Sequence, residues 1–298
     1  GIGRQIGLRL YFNYVTINMI VRRYSINGVF LTFRKEKFMD EQDPVKTITE
    51  VAKTAKEVLP QTTTQADGAL ATLVGWFNNV VLYPVKKANI TYQYKLECFK
   101  DDLYSQAAQI PEQCQHQPNL MVAGPALEAL KYTYDEEKLR EMYIKLLTSS
   151  MDSRKDTVVH PSYVQVIQQM NSYDAVLFKF LASRTGNIKA INPNVGIKGT
   201  NKIYVNAMPE WYIAWEQTTD VFQLSAAIVR LSNLGLVELM YDRTAGTDGY
   251  ENLENSPQLL DILHQYQTNY PTQELELNST RSVIYVNDYG KQFAIACL

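Results

Sequence analysis

Residues 149–160 bring together the side chains best suited to chemistry. Ser149 and Ser150 close an apolar run, and Asp152, Arg154, Asp156 and His160 follow shortly after. A carboxylate beside an imidazole moves protons near neutral pH, because histidine titrates there. A hydroxyl beside such a base is a potential nucleophile. The same residues also have a plainer use. Asp152 and Asp156 suit a turn or a helix cap, His160 precedes a proline that can start a helix, and Ser149-Ser150 are small enough for close packing at a helix end. The plainer use is preferred, because no spacing that defines a catalytic constellation occurs. The chain has no His-Glu-x-x-His, no Gly-x-x-x-x-Gly-Lys-Ser/Thr, no Gly-x-Ser-x-Gly and no Cys-x-x-Cys. His116, His160 and His264 are dispersed, and Cys98, Cys114 and Cys297 are odd in number and far apart, so neither a metal site nor a disulfide framework is expected. No catalytic residue, metal ligand or cofactor is assigned.

A chain of 298 residues, 46% hydrophobic and 20% charged, has the composition of a globular protein rather than a fibrous or disordered one. No run reaches the roughly 18 charge-free apolar residues of a spanning helix, and a reducing cytoplasm is the expected setting. Residues 1–38 carry seven basic residues, Arg4, Arg9, Arg22, Arg23, Arg34, Lys35 and Lys37, against one acid, Glu36. The remainder then holds 22 basic and 30 acidic residues, an excess that opposes sequence-independent binding to nucleic acid. Residues 1–38 show neither a helical nor a strand period. Arg34-Lys35-Glu36-Lys37 back-translates to a purine-rich, ribosome-binding type of sequence just before Met39. The expectation is a translated leader over 1–38, with the true start at Met39.

From Met39 the text is helical. Val45, Ile48, Ala52, Ala55 and Leu59 recur at helical spacing up to Pro60. Gly68 to Val85 is the most apolar segment; Asn78, Asn79 and Pro84 interrupt it, and it is read as a buried helix, with a membrane-interface helix as the alternative. A surface helix is expected over Lys86 to Ala108. Pro125 is placed in the first turn of a short helix, Ala126 to Tyr132. Thr133 followed by Glu136 has the form of a capping box, leading into a stripe of Leu139, Met142, Tyr143, Leu146 and Leu147. After His160-Pro161 another helix faces inward with Val164, Ile167 and Met170. From Ser172 the pattern is mixed: a helix to Ser183, β-like pieces at Asn187 to Ile191 and Lys202 to Asn206, a helix at Val221 to Asn233, a strand at Leu236 to Tyr241, and a partner strand at Ser282 to Val286. A last helix covers Tyr289 to Cys297. The expected class is mainly α, α+β overall. A helical domain over 39–171 precedes a winged-helix-like domain over 172–298, whose β wing is enlarged by a helix near Gln258 to Tyr266.

Four linked stretches then become recognisable in order. They are Pro118-Asn119-Leu120-Met121-Val122-Ala123-Gly124-Pro125, Asp135-Glu136-Glu137-Lys138-Leu139-Arg140-Glu141-Met142-Tyr143, Leu146-Leu147-Thr148-Ser149-Ser150-Met151-Asp152, and His160-Pro161-Ser162-Tyr163-Val164. This text resembles the Abi-alpha family of bacterial abortive-infection proteins, and the likeness continues more weakly to Cys297. Tyr143 and Tyr163 stand where family members often carry Phe. The resemblance implies a role in phage defence and supplies no mechanism. Its signature residues here are Gly124, Pro125, Leu146, Leu147, Ser149, Ser150, Met151, His160 and Pro161, expected to form a packing unit.

Three classes of function follow. The first is a defence protein acting through a host or phage protein partner, with peripheral membrane contact through Gly68 to Val85 as a variant of it. The second is a winged-helix DNA-binding regulator reading through Val221 to Asn233, for which Gln223, Arg230, Asn233, Arg281 and Lys291 are the candidate nucleic-acid or partner surface. Residues 172–298 hold nine basic and thirteen acidic residues, which turns this module away from DNA and towards protein. The third is an uncharacterised enzyme, and it lacks a constellation.

Overall fold

The computed structural model describes residues 23–26, 29–32, 65–77 and 91–298 apart from positions 205, 242 and 247. The chain divides into two compact units, Gly1–Pro60 and Gln61–Leu298. In the first, β1 (Arg23–Ile26) and β2 (Val29–Thr32) pair antiparallel, Arg23 opposite Thr32 and Ile26 opposite Val29. This hairpin falls in the stretch for which no strand period was expected. The overlooked signal is Asn27-Gly28, the dipeptide best suited to joining two strands through a two-residue connection. The helix expected at Val45 to Leu59 lies outside the described residues.

Among the described residues the second unit opens with the helices α1 (Gln65–Trp76), α2 (Thr91–Ala107), α3 (Leu120–Thr133), α4 (Glu137–Ser149), α5 (Ser162–Gln168) and α6 (Ser172–Ala182). In α1, Leu70 and Leu73 are buried, and Phe77 just beyond it stacks on Phe99 of α2 with ring centroids 3.8 Å apart. In this half of the Gly68 to Val85 segment Leu70, Leu73 and Phe77 belong to the protein core; from position 78 the segment lies outside the described residues. Among the described residues no helix is long and apolar enough to cross a membrane.

Helix α4 is the hub, with α2, α3, α5 and α6 packed around it. Leu139, Met142, Tyr143, Leu146 and Leu147 are all buried, as their spacing demands. Each such side chain removed from water contributes about 1.5–3 kcal/mol. The helix starts differently from expectation. Thr133 is still the last residue of α3, its hydroxyl donating back to the Ala129 carbonyl, and Glu136 occupies the cap position of α4 without a side-chain bond. A reciprocal capping box does occur, at α6, between Asn171 and Asp174. Pro125 is likewise displaced: α3 begins at Leu120, capped by Asn119, and Pro125 sits inside it.

The rest of the unit runs β3 (Ile188–Ile197), β4 (Ile203–Tyr204), α7 (Val221–Asn233), β5 (Val237–Met240), α8 (Glu251–Glu254), α9 (Pro257–Asn269), β6 (Leu275–Val286) and α10 (Asp288–Cys297). The strands form one antiparallel sheet in the order β4-β3-β6-β5. Strand β3 continues through Asn192-Pro193-Asn194, which reads as a break in sequence. Pro193 is tolerated because successive N–H groups alternate sides. Ile191 directs its N–H away from β6, to the carbonyl of Tyr212, and so does the proline position two residues on, where the missing donor costs no ladder bond. Helix α9 supplies the extra helix expected near Gln258 to Tyr266.

One hydrophobic cluster runs from Leu70 to Cys297 and passes through position 171 without a break. Helix α10 closes it by lying on α4 and α6. It starts from the Asn287 side chain, which accepts from the Gly290 N–H, and Gly290 lets the backbone of Leu236 come close: a Cβ there would stand 2.1 Å from the Leu236 carbonyl oxygen.

Candidate functional site

The signature residues divide into a buried knot and an exposed remainder. Leu146 and Leu147 have no exposed surface, and Ser149, Ser150 and Met151 are buried with them. The Ser150 hydroxyl donates to the Leu147 carbonyl at 2.6 Å, which closes the end of α4, and the Ser149 hydroxyl accepts from the Lys155 ammonium at 3.2 Å. Gly124 and Pro125 are exposed, and a Cβ on Gly124 would meet nothing within 4 Å. That glycine is therefore not part of the packing unit expected of the signature.

After α4 the chain turns through Asp152, which is buried and caps the short helical turn Ser153–Lys155. The Arg154 guanidinium grips Asp152 with two bonds, at 2.8 and 2.6 Å, and holds its carboxyl below the usual range. The imidazole next to Asp156 is His116, 2.9 Å away, with its other ring nitrogen 2.7 Å from the Gln117 carbonyl. Hydrogen bonding to that carbonyl and then to Asp156 raises the His116 pKa. His160 stands apart from this pair. Its Nδ1 accepts from the Ser162 N–H and lies 2.7 Å from the Ser162 hydroxyl, which in turn is 2.8 Å from the Tyr289 hydroxyl. A base oriented for catalysis is held by a third group, but no carboxylate contacts His160 among the described residues. The result is a hydrogen-bonded start to α5 that ties it to α10.

The candidate nucleic-acid surface is dispersed over α7, β6 and α10. Arg230 makes a bidentate ion pair with the buried Asp174, at 2.7 and 3.1 Å. Arg281 is held by Glu254 and Glu251, and Lys291 by Asp288 and the Tyr285 hydroxyl. Gln223 and Asn233 are exposed near the two ends of α7. All three nominated cations are thus satisfied within the chain.

Sequence reasoning missed a cleft along α4. Two adjoining cavities, of about 170 and 100 Å³, share Gln106 and Lys145 in their walls. The larger adds Lys138 and Lys179, and the smaller adds Arg154 and Lys155. Lys138, Glu141 and Lys145 lie at three- and four-residue spacing on the polar face of α4, a pattern that marks one side of a helix but not the company it keeps. Among the described residues, no three His, Cys, Asp or Glu side chains are grouped to hold a metal.

The architecture is that of a mainly helical α+β protein organised around one central helix, with its polar signature groups held in caps and turns. The family described as abortive infection alpha matches residues 91–297, and the chain belongs to that family. No curated protein matches it, and no solved structure does.

Proposed function

We propose that this protein protects bacteria against phage by abortive infection, working in the cytoplasm through recognition of a host or phage protein rather than by catalysis. The observation that carries the reading is the family match over residues 91–297. The mode of action is inferred from the site: Ser150, Asp152 and His160 are each engaged in contacts that cap or close a helix or turn. A winged-helix-like module with an enlarged wing is part of this reading, and the order α6, β3, α7, β5 and β6 with a long excursion between β5 and β6 supports it. Use of that module on DNA is disfavoured, since Arg230, Arg281 and Lys291 are neutralised by carboxylates.

The test is phage plating on cells with and without the gene. Fewer plaques on expressing cells are expected, and equal plating across a broad phage panel overturns the reading. Variants separate recognition from catalysis. Leu146→Ala removes a fully buried side chain and costs about 2–5 kcal/mol, so defence falls with stability. His160→Ala should leave both largely intact. A folded His160→Ala protein without defence would make the His160, Ser162 and Tyr289 chain part of the active machinery.

A further inference from the structure

The cleft along α4 has an uneven charge balance. Two of its five cations have partners, Lys138 with Glu141 at 3.1 Å and Arg154 with Asp152 at 2.6 Å. The other three, Lys145, Lys155 and Lys179, have no carboxylate within ion-pair distance among the described residues. Lys145 donates to the neutral amide of Gln106, at 3.2 Å. Lys155 donates to the Ser149 hydroxyl at 3.2 Å and to the Ile295 carbonyl at 3.0 Å. Lys179 stands exposed on α6 at the rim of the larger cavity. The acidic side chains facing the cleft, Glu141 and Asp152, are already committed to their own partners, and Leu298 also lines the larger cavity.

The arrangement is costly without an anion. Burial and the nearby Lys145 push the Lys155 pKa down, as expected when like charges share a partly dry site. Lys145 lines both cavities, sharing the larger with Lys179 and the smaller with Lys155. A ligand with two linked anionic groups can place one in each cavity and share Lys145 between them. Gln109 and Thr148 line the smaller cavity and supply neutral hydrogen-bonding groups for anion oxygens. Met142 and Ala175 give the larger cavity an apolar wall.

We propose that this cleft is a binding site for a small pyrophosphate-bearing ligand, with Lys145 contacting both phosphoryl groups, Lys155 the inner one and Lys179 the outer. The site is independent of the defence reading, because it rests only on the α4 cleft.

Calorimetric titration of the full chain with pyrophosphate, ATP and inorganic phosphate tests it. Pyrophosphate is expected to bind at least tenfold more tightly than inorganic phosphate, since the latter fills one cavity. Tighter binding of ATP than of pyrophosphate would identify a nucleotide as the ligand class; the reverse order would identify the free polyphosphate. Lys145→Gln should weaken pyrophosphate binding at least tenfold. The Lys179 side chain is exposed and makes no hydrogen bond or ion pair among the described residues, so Lys179→Gln should keep the fold and weaken binding several-fold even where Lys145→Gln does not fold. Lys202→Gln, an exposed charge outside the cleft, should bind as the parent does. No binding of pyrophosphate or ATP at millimolar concentration overturns the proposal, as does an equal loss in Lys179→Gln and Lys202→Gln.

Discussion

Replacing Arg230 with alanine decides whether α7 is a structural helix or a reading helix. Asp174 is 1% exposed and closes the capping box of α6, and the Arg230 guanidinium is its only cationic partner among the described residues. Removing one member of a fully buried pair costs about 3–5 kcal/mol, because the other charge is left desolvated. The Arg230 side chain is 40% exposed, so water screens part of the interaction and can enter when the side chain is gone. The capping bond from the Asp174 N–H and the bond Asp174 accepts from Asn171 both remain. Together these place Arg230→Ala at about 2–3 kcal/mol, close to the value of a hydrogen-bonded charged contact. For a unit of this size that is a fall in melting temperature of roughly 4–12 °C. Urea denaturation of the parent, Arg230→Ala, Asp174→Ala and the double variant should yield a coupling energy above about 1 kcal/mol. A mobility-shift assay on random and enriched DNA should find no difference between parent and Arg230→Ala. The reasoning is refuted if Arg230→Ala unfolds within about 0.5 kcal/mol of the parent and loses affinity for DNA.

Two further outcomes follow from local geometry. The raised His116 pKa means that the folded state holds this proton more tightly than the unfolded chain, so the stabilisation is complete below the ordinary value of 6.5 and is lost as pH rises through the higher folded value. The melting-temperature gap between the parent and His116→Gln should therefore be wider at pH 6 than at pH 8.5, and a gap that stays constant or widens with pH would count against the pair. Two glycines should respond in opposite directions to alanine: Gly290→Ala is expected to destabilise by about 1–3 kcal/mol through collision with the Leu236 carbonyl, whereas Gly124→Ala, in open space inside α3, should stabilise by about 0.5–1 kcal/mol. Chemical denaturation of both checks the pair, and a stabilised Gly290→Ala would mean that α10 does not sit tightly on Leu236.

Helix α4 was readable because five apolar residues at helical spacing can be buried together in only one way. Its start was not, because Thr133 and Glu136 satisfy a capping pattern while α3 runs on through Thr133 and α4 begins only after Glu136, a boundary that local spacing does not set. Strand β3 was half hidden by Pro193, whose cost depends on which edge faces a neighbour, a property of the sheet rather than of the segment. The turn at 152–160 places carboxylates and His160 close together in sequence, yet the imidazole that meets Asp156 is His116, brought in by a bridge between Gln115 and Asp152 that no local spacing announces. The cationic cleft was invisible for the same reason, since Lys145, Lys155 and Lys179 come from three separate elements.

The contact from Lys155 to the Ile295 carbonyl joins positions 140 residues apart, and α10 lies along the helix that Lys155 follows. During synthesis the apolar stripe of α4 leaves the ribosome long before the segment that covers it. Closure across so long a loop is slow, and a half-made chain with an uncovered stripe is open to wrong associations. Supply of mature protein should therefore depend on folding assistance and lag well behind translation. Truncations that remove residues 288–297 should give aggregates instead of a shortened soluble form.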